Sequence, residues 1–169
     1  MMTKPVLYIE PGEFVIGQHL EQCYKTILGS CVSMVMYEQQ SSFFAMCHFL
    51  LPKLPVSNSN QVTAQMGRYG DQVLPEMIRQ AKQANIDIKK LSVLLFGGSS
   101  SKRTEGLSQR FRIACNNLSY SHRFLRQHCL QLCHEDVGGS QGRSLIIDAS
   151  SGEFFCNKVE QLMSGERYA

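Results

Sequence analysis

Val32-Ser33-Met34-Val35-Met36-Tyr37, Glu38-Gln39-Gln40-Ser41-Ser42 and Phe43-Phe44-Ala45-Met46-Cys47-His48-Phe49-Leu50-Leu51 follow one another without interruption, and their order sets the architecture of the chain. Two apolar, β-rich runs flank five polar residues, which predicts a hairpin with a five-residue loop. Folding about Gln40 lays the start of the first strand beside the end of the second. Cys31 and His48 then come from neighbouring positions, with a thiol facing an imidazole.

Upstream, short β segments are predicted at Val6 to Glu10, Glu13 to Gly17 and Gln22 to Leu28, with Pro11-Gly12 as a turn and Gly29-Ser30 breaking the pattern just before Cys31. Downstream, Tyr69, Val73, Leu74, Met77, Ile78 and Ala81 recur at three- and four-residue steps and predict an amphipathic helix over Gly67 to Ala84, with Pro75 in its interior. Leu91 to Phe96 reads as a buried strand ending in the sharp turn Gly97-Gly98. Ser99 to Gln109 is long and polar, and a mobile loop is expected there. Ile113 to Gln127 has helical spacing weakened by Asn116, Asn117 and Ser119. Strands are expected again at Cys129 to Val137, Ser144 to Asp148 and Phe154 to Val159, around turns at Gly138-Gly139 and Ser150-Ser151-Gly152. Strands and helices are segregated more than alternated, so the expected class is α+β with mixed or antiparallel sheets. No repeat or boundary divides residues 1–169, and one domain is expected.

Bulk composition narrows the function. Hydrophobic residues make up 43% of the 169 and charged residues 18%, an ordinary globular balance. The net charge of +3 comes from 17 basic and 14 acidic residues without a dense Lys/Arg stripe, so nucleic acid is not an expected partner. Met1-Met2-Thr3-Lys4-Pro5 lacks the apolar core of a secretion signal, and no apolar run approaches the roughly 18 residues that span a bilayer, so a cytoplasmic protein without membrane insertion is expected. Seven irregularly spaced cysteines suit reduced thiols better than a disulfide framework.

A free thiol is a weak nucleophile near neutral pH, and a catalytic one needs an imidazole or dipole that favours thiolate. His48 is the candidate base for Cys31. Such enzymes also need a group that holds the imidazole by its other nitrogen, and N–H donors for the oxyanion. Thr26 offers a hydroxyl or a carbonyl for the first purpose, and Gly29 and Ser30 offer accessible backbone for the second. By spacing alone, Cys31 reads more readily as a buried small hydrophobe and His48 as a satisfied core histidine. His128, Cys129, Cys133 and His134 lack the close cysteine pairing of a structural zinc site, and no metal is expected there. Gly97-Gly98-Ser99-Ser100-Ser101-Lys102 lacks P-loop spacing, and no G-x-S-x-G element is present. Asp136 and Asp148 sit beside turns and read as turn formers.

Thr26-Ile27-Leu28-Gly29-Ser30-Cys31-Val32 followed by Cys47-His48-Phe49-Leu50-Leu51-Pro52 resembles the CheD family of chemoreceptor glutamine deamidases. Gly67-Arg68-Tyr69, Leu95-Phe96-Gly97-Gly98, and Glu135-Asp136-Val137-Gly138-Gly139 with Arg143 extend the likeness from about Glu13 to Lys158. One segment departs from it: Ile113-Ala114-Cys115-Asn116-Asn117 stands where the family commonly has Ile-Gly-x-Arg-Asn.

The resemblance implies that Cys31 is the nucleophile, His48 the base and Thr26 the third member, with Gly29 and Ser30 at the oxyanion and Phe96, Gly97 and Gly98 in a loop near the substrate. It implies hydrolysis of glutamine side chains in chemotaxis receptors without a cofactor, and a CheC-type phosphatase as a further partner. It also implies a layered α/β/β/α fold like the cytotoxic necrotizing factor deamidase domains. A regulatory module that docks on receptor or phosphatase without catalysis is the alternative, motivated by the departure at Ile113 to Asn117. A transglutaminase or thiol protease side activity is a third reading.

Overall fold

The computed structural model describes residues 4–56, 65–100 and 109–160. Its strands are β1 (Val6–Tyr8), β2 (Phe14–Gln18), β3 (Cys23–Leu28), β4 (Val32–Glu38), β5 (Phe43–Cys47), β6 (Ser92–Gly97), β7 (Gln131–Val137), β8 (Gly142–Asp148) and β9 (Phe154–Val159); its helices are α1 (Gly70–Gln83) and α2 (Gln109–Gln127). They build a four-stranded sheet in the order β1-β3-β8-β9 and a five-stranded sheet in the order β2-β5-β4-β6-β7. Among the described strands, β1/β3 and β6/β7 pair in parallel and the other pairs are antiparallel.

The hairpin forms between the two expected runs, with Val35 opposite Met46, but Glu38 pairs with Phe43, so its loop is the four residues Gln39 to Ser42 and not five. Its alternation supplies two cores at once. Val32, Met34, Met36, Phe43, Ala45 and Cys47 face the helices, while Val35, Phe44 and Met46 face the other sheet. A strand buried on both faces reads as an unbroken apolar run, as β4 and β5 do. The apolar stripe of α1, Val73, Leu74, Met77, Ile78 and Ala81, joins Phe124 and Leu125 of α2 on the helix side. Pro75 lies on the exposed face of α1, where its missing N–H disturbs no packing.

The mixed α+β class with two facing sheets is what the segregated pattern predicts, but the layering is simpler than α/β/β/α. Among the described residues both α-helices pack on the five-stranded sheet, and outward-facing Ile27 and Phe155 of the four-stranded sheet are 49% and 74% exposed. Both apolar helix stripes are used on one face.

Several boundaries move for local reasons. β5 stops at Cys47 rather than Leu51, because the Leu50 and Leu51 N–H groups both turn to the Arg68 carbonyl, at 2.9 and 3.1 Å. That carbonyl belongs to a 3-10 turn over Met66–Arg68, so α1 starts at Gly70 instead of Gly67. A side chain at Gly67 would meet the Gly12 carbonyl at 2.0 Å. β7 begins at Gln131, not Cys129, because Cys129 takes φ +51° and ends α2, with the Leu130 N–H bonded to the Leu125 carbonyl at 3.0 Å. That is a left-handed helix stop built without glycine. The described part of α2 reaches back to Gln109, four residues before the Ile113 that its apolar spacing indicates. Of the polar loop expected from Ser99 to Gln109, residues 101–108 lie outside the described residues; Ser99 and Ser100 are buried and tied down.

Candidate active site

Cys31 sits where the chain leaves one sheet for the other. β3 belongs to the four-stranded sheet and β4 to the five-stranded one, and only Gly29, Ser30 and Cys31 connect them. Each of the three carbonyls in this crossing is held by a separate donor. Ser99 N–H donates to Gly29 O at 2.8 Å, Asn117 Nδ2 to Ser30 O at 3.0 Å, and Gly98 N–H to Cys31 O at 2.8 Å. The Ser30 and Cys31 N–H groups donate to no backbone carbonyl among the described residues. Backbone donors left free beside a thiol are what an oxyanion site requires.

His48 follows β5 and shares the inter-sheet face with Cys31. The hairpin register continues through a bridge between Val32 and Phe49, which sets Cys31 opposite Leu50 and diagonal to His48. Thr26 reaches the same place from β3. Thr26 and His48 are 0% and 1% exposed, and Thr26 Oγ1 lies 2.8 Å from His48 Nδ1 and 2.7 Å from the Ile9 carbonyl. A hydroxyl has one proton, and the Ile9 carbonyl can only accept it. The contact with the ring therefore requires a hydrogen on Nδ1, donated to Thr26 Oγ1. Nε2 is then an unprotonated acceptor, and it has no hydrogen-bond partner among the described residues. Thr26 thus acts on the ring through its hydroxyl, which decides between the two possibilities that the sequence leaves open.

Burial dominates the electrostatics. It pushes the Cys31 thiol up to about 11, partly opposed by its own N–H and by Arg68, and it lowers His48 to about 4, partly opposed by the Ile9 carbonyl. Both groups rest neutral at pH 7, and no hydrogen bond joins Sγ to the ring. A thiolate forms only as a base removes the proton.

The depressed His48 value makes stability depend on pH. An unfolded histidine titrates near 6.5 and the folded one near about 4, so over that window the unfolded chain holds a proton the native fold refuses. Stability is fully present above pH 6.5 and falls as pH drops toward 4, by about 3 kcal/mol from this group. Urea midpoints measured across the window should fall less in His48→Gln than in the unsubstituted protein; parallel curves would refute the assignment.

The wall behind Cys31 comes from the two glycine turns. A side chain at Gly97 would meet Cys31 O at 2.3 Å, and one at Gly98 would meet Leu118 at 2.6 Å. Gly97 O accepts from Gly138 N–H and Gly139 O from Ser100 N–H, both at 2.9 Å. Arg143, 1% exposed, supports that turn by donating to Asp136 Oδ1 through Nη2 at 2.9 Å and to the Gly138 and Gln141 carbonyls through Nη1. Burial opposes ionisation of Asp136, but the guanidinium outweighs it and holds the carboxyl below its usual range. Asp136 is therefore an ion-pair partner as well as a turn neighbour.

Cys31, His48, Thr26, Gly29, Ser30, Gly97 and Gly98 are all parts of this neighbourhood. Phe96 is different: it is fully buried, with its ring edge-on to Phe154 at 5.2 Å, and its side chain serves the inter-sheet core instead of a substrate loop. Asn117 and Arg143 were not singled out as site residues by sequence; the only local signal for Asn117 is a polar, poorly helix-forming residue inside a helix. His134 packs on Phe96 and Phe154, His128 packs on Phe124, and Cys129 and Cys133 are exposed. Among the described residues no three His, Cys, Asp or Glu side chains gather as metal ligands, and no helix is long and apolar enough to cross a membrane. Open clefts lined by Tyr37, Gly152 and Phe154 and by Glu38, Gln39 and Lys90 lie at the Tyr37 end of β4, remote from Cys31.

Residues 50–158 match the family model described as CheD chemotactic sensory transduction. A probable chemoreceptor glutamine deamidase CheD of Pseudomonas syringae pv. tomato is 34% identical over 156 residues, covering 89% of this chain and 90% of that protein. A probable chemoreceptor glutamine deamidase CheD 2 of Geobacter sulfurreducens is 30% identical over 157 residues, covering 93% and 92%. Among solved structures, a Neisseria meningitidis protein of the DUF152 family matches with a TM-score of 0.45 and 10% identity, over 81% of this chain and 63% of that one.

Proposed function

The chain belongs to the CheD family, and from that membership we propose that it is a protein-glutamine deamidase acting on chemotaxis receptors, with Cys31 as nucleophile, His48 as base and Thr26 as the residue that orients the base. The observation that carries the mechanism is the buried imidazole held through Nδ1 by Thr26, with Nε2 left free to take a proton. The family match begins at residue 50, so the support for Cys31 and His48 comes from this geometry and from the motifs around them.

His48 Nε2 takes the thiol proton as Sγ attacks the carboxamide carbon of a glutamine side chain. The tetrahedral oxyanion is held by the Ser30 and Cys31 N–H groups. The protonated ring returns its proton to the departing nitrogen, and ammonia leaves a thioester on Cys31. Water, deprotonated by His48, then cleaves the thioester to glutamate and free thiol. Amide and water become carboxylate and ammonium, the acid's proton passing to the released ammonia, so the step balances without a cofactor.

The receptor as substrate follows the names of the relatives, which are called chemoreceptor glutamine deamidases. The proposal includes a cytoplasmic location, a CheC-type phosphatase as a second partner and a single domain. A regulatory, weakly catalytic module is the second reading, favoured by the neutral resting thiol and by Ala114 and Asn116 in the segment where the family commonly has glycine and arginine. Ammonia release from a glutamine-bearing receptor cytoplasmic fragment separates the two, with the converted glutamine located by mass spectrometry. Release that disappears in Cys31→Ala is expected. Release that persists in Cys31→Ala, or none from the unsubstituted protein, would sink the enzyme reading.

A further inference from the structure

We propose that Asn117 is the positioning residue of the oxyanion site, a role that rests on Cys31 being the nucleophile. Asn117 is 0% exposed on α2, and its Nδ2 donates to Ser30 O at 3.0 Å and to Leu50 O at 2.9 Å. Two carbonyl acceptors fix the orientation of the amide, because a flipped group would set Oδ1 against both. One side chain therefore ties the turn carrying Cys31 to the segment that follows His48.

The consequence lies in the peptide between Ser30 and Cys31. A trans peptide is planar, with C=O and N–H pointing in opposite directions. Holding the Ser30 carbonyl toward α2 turns the Cys31 N–H away from α2. That N–H belongs to the residue carrying the thiol and donates to no backbone carbonyl among the described residues. It is the donor a tetrahedral intermediate on Cys31 would use. Asn117 touches neither thiol nor ring in this arrangement; it acts through the backbone donor it aims. Its Oδ1 is buried without a partner among the described residues. Ser121, one turn on, donates its hydroxyl to the Asn117 carbonyl at 2.8 Å and leaves the side-chain amide to the site.

The test compares two chemistries at one sulfur. Hydrolysis of the glutamine amide passes through an oxyanion, whereas alkylation of Cys31 by iodoacetamide displaces iodide and develops none at the carbon attacked. In Asn117→Ala, kcat for ammonia release from the receptor fragment is expected to fall about 100-fold, as for loss of one oxyanion donor. KM should stay within about threefold, and the Cys31 alkylation rate should fall far less than kcat, because burial and not that N–H has the larger effect on the thiol. Asn117→Ser keeps one donor on a shorter side chain; it should fall between the two, and it carries the comparison should the alanine variant not fold. Unchanged kcat, or kcat and alkylation falling together, overturns the assignment. If the unsubstituted protein releases ammonia through Cys31 and both variants match it, only the role of Asn117 is lost. If it releases none, the deamidase reading falls and this role falls with it.

Discussion

Exchange of His48 for alanine is expected to lower kcat for ammonia release by about 10⁴-fold, with Cys31→Ala added to it lowering the rate no further. The thiol is pushed up to about 11 by burial, so almost none is ionised at neutral pH unless a base takes the proton. Nε2 of His48 is the acceptor left free for it, and nucleophile and base working as one unit give losses that do not add. Thr26→Val should cost less, about 10- to 100-fold, because Nδ1 loses the hydroxyl while the Ile9 carbonyl remains beside the ring. Thr26→Ser should restore most of the rate. Steady-state ammonia release with the receptor fragment measures all four, and a His48→Ala variant within tenfold of the unsubstituted protein would remove His48 from the chemistry.

The parts of this site that were legible in sequence are those a local pattern encodes. Five polar residues between two apolar runs announce the hairpin but not its register: a five-residue loop would pair Tyr37 with Phe43 and put Cys31 and His48 on opposite faces, whereas the observed pairing of Glu38 with Phe43 puts them on one. Gly97-Gly98 after an apolar run announces a tight turn, and the structure shows why glycine is needed there. What stayed hidden depends on distant pairing. Asn117 reaches Ser30 and Leu50 across 87 and 67 residues, and nothing near it in the chain encodes either partner. The distribution of β3 and β4 between two sheets was equally invisible, since a break at Gly29-Ser30 is compatible with a turn inside one sheet. The α2 stop at Cys129 was missed because its left-handed residue is not glycine.

This difference between ladder and crossing gives the proposed nucleophile a reason to lie between the sheets and not within a strand. Inside either ladder the N–H groups near Cys31 would be used by neighbouring strands. Between the sheets the carbonyls are captured by Ser99, Asn117 and Gly98, and the Ser30 and Cys31 N–H groups meet no backbone carbonyl among the described residues, which is what the proposed oxyanion site needs. The geometry therefore depends on how closely the Gly97-Gly98 turn approaches Cys31.

Gly97→Ala is expected to destabilise the fold by about 4 kcal/mol, summing backbone strain and overpacking. Gly97 has φ +106°, a region L side chains rarely adopt, and its added Cβ would lie 2.3 Å from the Cys31 carbonyl oxygen and 3.3 Å from Leu28 Cβ. Backbone cannot swing aside as a side chain can, so the crossing itself must shift. Gly98→Ala should be milder, since what its Cβ meets, at 2.6 Å, is the movable Leu118 side chain. Gly138→Ala isolates the conformational part: φ is +73° and nothing lies within 4 Å of the new atom, so about 1 kcal/mol is expected. For a chain of this size the Gly97 variant should melt roughly 10 °C lower. Below its melting point it should retain at most about one-tenth of the ammonia-release rate, because a displacement near 1 Å at Cys31 misaligns the attack. Thermal unfolding followed by circular dichroism, beside the activity assay, checks both; a Gly97→Ala protein as stable and as active as Gly138→Ala would show that the close approach to Cys31 is not what holds the crossing in place.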